Sequence, residues 1–93
     1  MSDSGIDKLL AERQRSHGDF GAVAETAEAL DRAMRWMADS NPSPFCYLDA
    51  DRQLALRMLQ VKIARIIHGD DANPEHWRDI AGYATLMLRE LEG

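Results

Sequence analysis

The stretch from Ala50 to His68 sets the strongest constraint on this chain. Its apolar residues do not keep to one side of a helix: Leu54, Met58 and Val61 fall on one line, while Leu56, Leu59, Ile63, Ile66 and Ile67 fall on others. A helix apolar over most of its circumference is central to a fold or lies in a subunit contact. Two cations, Lys62 and Arg65, stand inside the largely apolar run from Leu59 to Ile67. An ammonium or guanidinium taken out of water is costly unless it reaches solvent, a carboxylate or a ligand anion. The sequence therefore describes a central helix with a polar notch in it.

Apolar spacing supports three more helices and no convincing strand. The first runs from about Ile6 to Ser16, with Ile6, Leu9, Leu10 and Arg13 on one side. His17-Gly18-Asp19 stops it, because glycine suits the left-handed position after a helix and Asp19 can cap the next one. The second helix, about Phe20 to Asp39, places Phe20, Val23, Ala24, Ala27, Leu30, Met34 and Met37 on one face. Glu25, Glu28, Asp31, Arg32 and Arg35 occupy its other side. Asn41-Pro-Ser-Pro44 ends it, since proline lacks the amide proton and disfavours helix in the residue before it. Phe45 to Leu48 are too few for a strand and pack as a loop over the core. Asp49 or Asp51 caps the third helix, about Ala50 to His68, and Gly69 closes it. Asn73-Pro74 opens the fourth with a capping residue and a proline at the first helical position. Trp77, Ile80, Ala81, Ala84, Met87, Leu88 and Leu91 form its stripe. Gly82 in that helix costs about 1 kcal/mol relative to alanine, a cost often tolerated where a helix or ligand approaches the backbone closely. The expected fold is a single all-α domain over residues 1–93, a compact antiparallel bundle of three long helices plus a short amino-terminal one.

A chain of 93 residues buries only roughly 60–65% of its unfolded surface, so its own core is modest. Together with the many-sided third helix, this implies a homo-oligomer assembled through the third and fourth helices. Eleven basic against 16 acidic residues give a net charge of −5. That balance argues against sequence-independent nucleic-acid binding, which needs many phosphate contacts. A small phosphorylated ligand needs only two or three local cations. Cys46 is the single cysteine, which excludes an intrachain disulfide and a thiolate metal cluster. No apolar run approaches the roughly 18 residues of a membrane span. The opening Met-Ser-Asp-Ser-Gly carries neither the basic nor the apolar region of a signal peptide, so a cytoplasmic setting is expected.

Lys62 and Arg65 share a face with Met58, and Asp79 and Tyr83 stand one turn apart on the fourth helix. Two readings compete for them. In the plainer one Lys62 snorkels to water and Arg65 pairs with Asp79 or a glutamate of the second helix. In the functional one Lys62 and Arg65 hold a phosphate, Asp79 orients Arg65 or meets a ribose hydroxyl, and Tyr83 or Trp77 stacks on a base. His17 and Asp19 flank a tight turn whose free amides suit an anion, although such turns are most often plain caps. The histidines have no metal-ligand spacing, and the reading needs no cofactor. The alternative is Mg²⁺ on Glu25, Glu28 and Asp79, an oxygen-donor set.

The blocks Glu12-Arg13 with His17-Gly18-Asp19-Phe20, then Leu54 to Gly69 with Lys62-Ile63-Ala64-Arg65-Ile66, then His76-Trp77-Arg78-Asp79-Ile80-Ala81-Gly82-Tyr83-Ala84, cover about half the chain. In them the chain resembles a family of small phage- and prophage-encoded helical proteins of unassigned function. The resemblance implies a phage origin, hence the cytoplasm of an infected or lysogenic bacterium, and a compact all-helical domain. It assigns no reaction. More distantly, Glu25-x-x-Glu28 is similar to the first half of the MazG-like nucleoside-triphosphate pyrophosphohydrolase pattern. That family would imply carboxylate-bound Mg²⁺ and oligomers. Its Glu-x-x-Asp second half is absent, since Glu75 and Asp79 have a different spacing. The expectation is non-catalytic binding of a phosphorylated, nucleotide-like ligand, with sequestration of a nucleotide immune signal as one role compatible with size and charge. The other two readings are a Mg²⁺-dependent pyrophosphohydrolase and a phage adaptor that binds a host protein.

Overall fold

The computed structural model describes residues 4–93. Met1 to Asp3, part of the amino-terminal stretch read above as lacking a signal peptide, lie outside them. Among the described residues the order is α1 (Ser4–His17), α2 (Phe20–Arg35), a 3-10 turn (Pro44–Tyr47), α3 (Ala50–His68) and α4 (Pro74–Glu92). The fold is all-α; no strand forms among these residues, and pairing is limited to one isolated bridge between Trp36 and Pro42. Among the described residues no helix is long and apolar enough to cross a membrane. The starts follow the expected chemistry. The Asp19 carboxylate accepts from the Ala22 amide at 3.1 Å, and the Asn73 side chain accepts from the Glu75 amide at 3.0 Å ahead of Pro74. Asp49 holds the capping position of α3, but its side chain makes no capping bond.

α3 packs against α1, α2 and α4, as its many-sided apolar surface requires. The Gln60 amide is buried against α2 and donates to the Met34 sulfur at 2.9 Å, while Thr26 and His68 hydrogen-bond at 2.6 Å between α2 and α3. The apolar core is nevertheless small: among the described residues Val23, Phe45 and Ala64 are its buried members. The radius of gyration is 16.1 Å, against about 12 Å for a compact chain of this length. The compact domain expected from sequence is therefore an open one. α1 is also longer than expected at 14 residues, and its Ile6, Leu9 and Leu10 face solvent.

α2 ends at Arg35, four residues short of the expected Asp39. Trp36 turns extended, Ser40 adopts a left-handed φ of 66°, and the Met37 amide bonds the Asn41 carbonyl at 2.8 Å. This reversal folds Ser43 back onto the freed end of α2, where its amide donates to the Arg35 carbonyl at 2.7 Å and its hydroxyl to that of Met34. Those contacts satisfy the carbonyls that a helix end leaves open. They also bury Phe45 beneath Arg35, whose guanidinium carbon lies 5.0 Å from the ring centre. Met37, expected on the inward stripe, is exposed as a result, and so is Phe20 at the other end of α2. Phe45 to Leu48 do pack over the core as expected, mostly as the 3-10 turn, but Tyr47 points outward.

The end of α1 locks against the end of α3 at two glycines. Gly18 has φ 86°, and a Cβ there would stand 2.6 Å from His68 atoms; one on Gly69 would meet the Ser16 carbonyl. Gly82, by contrast, has no neighbour within 4 Å of where a Cβ would stand. Gly18→Ala should lower stability by roughly 2–4 kcal/mol, since both the left-handed backbone and the close approach resist a side chain. Gly82→Ala should raise it by about 1 kcal/mol. Urea unfolding of the two variants checks both signs, and equal effects would contradict this packing.

Candidate functional site

The polar notch is real, but its partners are exchanged relative to expectation. Lys62 Nζ lies 2.9 Å from Asp79 Oδ2, with the lysine side chain 11% and the aspartate 44% exposed. Lys62 therefore reaches a carboxylate instead of snorkelling to water, and it is Lys62, not Arg65, that takes Asp79. The hydrogen bond from Lys62 and the charges of Lys62, His76 and Arg65 hold the Asp79 carboxyl below its ordinary value, against the opposing effect of desolvation. Arg65 is half-buried, and none of the ion pairs among the described residues includes it.

Arg65 sits beside a histidine junction that the sequence reading missed. His76, 2% exposed, bonds the Ser16 carbonyl through Nε2 at 2.6 Å. Asn73 donates to the Ser16 hydroxyl at 2.7 Å, and the Asp70 amide donates to the Ser16 carbonyl at 3.0 Å. The His17 ring packs edge-on against His76 with centroids 5.0 Å apart, and its Nδ1 is buried with no hydrogen-bond partner. Burial, followed by the charges of Arg65, His76, Lys62 and Arg13, pushes the His17 pKa down from 6.5. The signal for His76 was available: His76, Ile80, Tyr83 and Met87 keep one face of α4, and these are its inward residues.

Asp79 and Tyr83 line a shallow hollow of about 450 Å³ along α4, together with Gly82, Arg78, Thr85, Leu86 and Arg89. Lys62 and Arg65 do not line it. The cations there are Arg78, which bonds Glu75, and Arg89. Asp79 thus bridges two environments, holding Lys62 on the inside and facing the hollow on the outside. Trp77 does not join this wall; its indole N–H donates to the Asp71 carbonyl at 2.8 Å. Asp19 caps α2, its carboxylate accepting from the Ala22 amide. Glu25 and Glu28 are exposed, and Glu28 pairs with Arg32 at 2.7 Å. Among the described residues no three acidic, histidine or cysteine side chains converge in a metal-holding group, so Glu25, Glu28 and Asp79 do not come together. Cys46 is half-buried, with its sulfur 3.5 Å from the Arg35 carbonyl.

In comparisons with known proteins, no family model, no curated protein and no solved structure matches this chain.

The His17 environment has a consequence for pH dependence. Because the folded pKa lies below 6.5, the unfolded chain binds the proton first as acid is added. Acidification through 6.5 and down towards the lower folded value therefore favours unfolding. Urea titrations between about pH 7 and pH 5 should show stability falling with acid, and His17→Gln should flatten that slope. An unchanged slope would place the titrating group elsewhere.

Proposed function

We propose that this chain binds a small phosphorylated, nucleotide-like ligand without transforming it. The observation that carries the reading is Arg65, a half-buried guanidinium with no carboxylate partner among the described residues, near Lys62, His17 and His76. Positive charge held away from water and left unneutralised favours an anion, and a guanidinium matches phosphate oxygens with paired hydrogen bonds. Arg78 and Arg89 add charge at the rim of the neighbouring hollow. With one oxygen held by Lys62, Asp79 keeps the other available to accept from a sugar hydroxyl. Tyr83 lines the same hollow and is a better candidate to stack on a base than Trp77, whose indole is tied to Asp71. His17 completes the inner side of the site, whereas Asp19 keeps to its capping role.

The architecture we infer for this binder is an antiparallel bundle that assembles with copies of itself. Contacts between α3 and α4 support opposite directions: Lys62 meets Asp79, while Asp51, eleven residues before Lys62, lies close enough to Glu90, eleven residues after Asp79, for the two carboxyls to perturb each other. The small core and the large exposed apolar residues support self-assembly. A cytoplasmic setting in an infected or lysogenic bacterium rests on the family resemblance alone.

Calorimetry with inorganic phosphate, nucleoside mono-, di- and triphosphates and cyclic nucleotides tests the binding. At least one nucleotide should bind below millimolar, and Arg65→Ala should weaken it at least about tenfold. Lys62→Ala should weaken it as well, while Phe20→Ala, on the exposed end of α2, leaves it unchanged. Binding by none of the panel, or full binding by Arg65→Ala, defeats the reading.

A further inference from the structure

The apolar stripe of α4 is split. Ile80 and Met87 turn towards α3 and are half-buried, but Trp77, Ala81, Ala84, Leu88 and Leu91 remain exposed, the three large ones by 54%, 55% and 65%. Those five positions step by four, three, four and three residues, the spacing of a helix–helix seam. The Lys62–Asp79 ion pair marks one edge of the α3–α4 pair, and Asp51 and Glu90 lie near each other farther along it. At 3.6 residues per turn the seam falls on the opposite edge of α4, where Ile63 and Ile67 of α3 are also exposed. The two helices thus present one continuous apolar face, separate from the phosphate site.

We propose that this face packs against the same face of a second copy, with α4 antiparallel to its twofold mate. Surface area argues for a large occupant. The chain exposes 6852 Å², whereas a folded monomer of its mass exposes about 5,400 Å². An excess of that size on each of two copies falls in the range that obligate homodimers bury, about 2,000–5,000 Å² in total. The seam is also self-complementary in one direction. With its centre at Ala84, an antiparallel pair sets the bulky Trp77 against Leu91 and lets the two backbones approach closely at Ala81 and Ala84. The same arrangement brings Arg78 beside Glu92 of the partner subunit at both ends. A parallel pair would instead set Trp77 against Trp77 and lose the Arg78–Glu92 pairing. A twofold axis makes the contact closed, so two copies satisfy it without further growth.

This interface rests on the self-assembly proposed above; because it shares Arg78 with the rim of the ligand hollow, its tests read association and cross-linking and not ligand binding. Sedimentation equilibrium of the full chain should give twice the 10.5 kDa chain mass. Leu88→Glu should weaken the dimer at least about tenfold. In a Cys46→Ser background, Trp77→Cys mixed with Leu91→Cys should form an oxidative cross-link more readily than Trp77→Cys alone, a readout that holds even if Leu88→Glu fails to fold. Arg78→Glu should weaken association, and the double variant Arg78→Glu with Glu92→Arg should restore it. That rescue separates the proposed intersubunit pair from the Arg78–Glu75 bond within the chain, which both variants lose. A single-chain mass for the wild type overturns both the interface and self-assembly, leaving the face to a different partner. A dimer that survives Leu88→Glu and cross-links no better in the mixture overturns the interface while leaving self-assembly standing.

Discussion

α3 needs cover on more sides than a chain of this length supplies. Its Leu56, Leu59, Ile63, Ile66 and Ile67 lie off the lines occupied by Leu54, Met58 and Val61, so one neighbour cannot shelter it. α2 covers the side of Gln60 and Ala64, and α4 covers the side of Lys62. The short α1 reaches only the carboxyl end, where Gly18 and Gly69 permit contact at backbone distance. The remainder, with Ile63 and Ile67 exposed, has no cover among the described residues. The small core, the open shape and the unused half of the α4 stripe all follow from that shortfall.

The same crowding around α3 explains the electrostatics of its carboxyl-terminal half. Burial forces Lys62 to find a carboxylate, and Asp79 is within reach because α4 runs alongside. Once Asp79 is taken, Arg65 is left beside two histidines that cannot neutralise it. One of them, His17, responds by resisting protonation. The other, His76, is held by the Ser16 carbonyl, so the junction is rigid at one ring and electrostatically loaded at the next. A local excess of positive charge on a chain of net charge −5 is therefore a product of packing, not of composition.

Helix starts and stops were legible in the sequence because their causes are local. Asp19, Asn73-Pro74 and the left-handed Gly18 act within a turn of themselves. The end of α2 was not legible, since the reversal at Trp36 is stabilised by Ser43 and Phe45 folding back from outside the helix. The notch could be read as to residue types but not as to pairing. Lys62 and Arg65 are three residues apart, and only the offset between α3 and α4 decides which of them meets Asp79. His76 was overlooked because a histidine near a helix start looks like a surface residue unless its spacing to Ile80 and Met87 is weighed.

The two edges of the α3–α4 pair differ in chemistry for a reason that links the site to the surface. Residues three or four apart share a helix side, so the steps from Asp79 to Tyr83 and from Trp77 to Ala81 and Ala84 run along different sides of α4. One side gathers Asp79, Gly82, Tyr83 and Leu86 with arginines at its margin, while the other is apolar from Trp77 to Leu91. A partner helix on the apolar side would shelter α3 without covering the Lys62–Asp79 edge. Covering the apolar edge also keeps water from the far side of the notch, which raises the effective strength of every charge interaction inside it. Were the chain to pair in this way, burying one edge of α3 would sharpen the charge imbalance at the other.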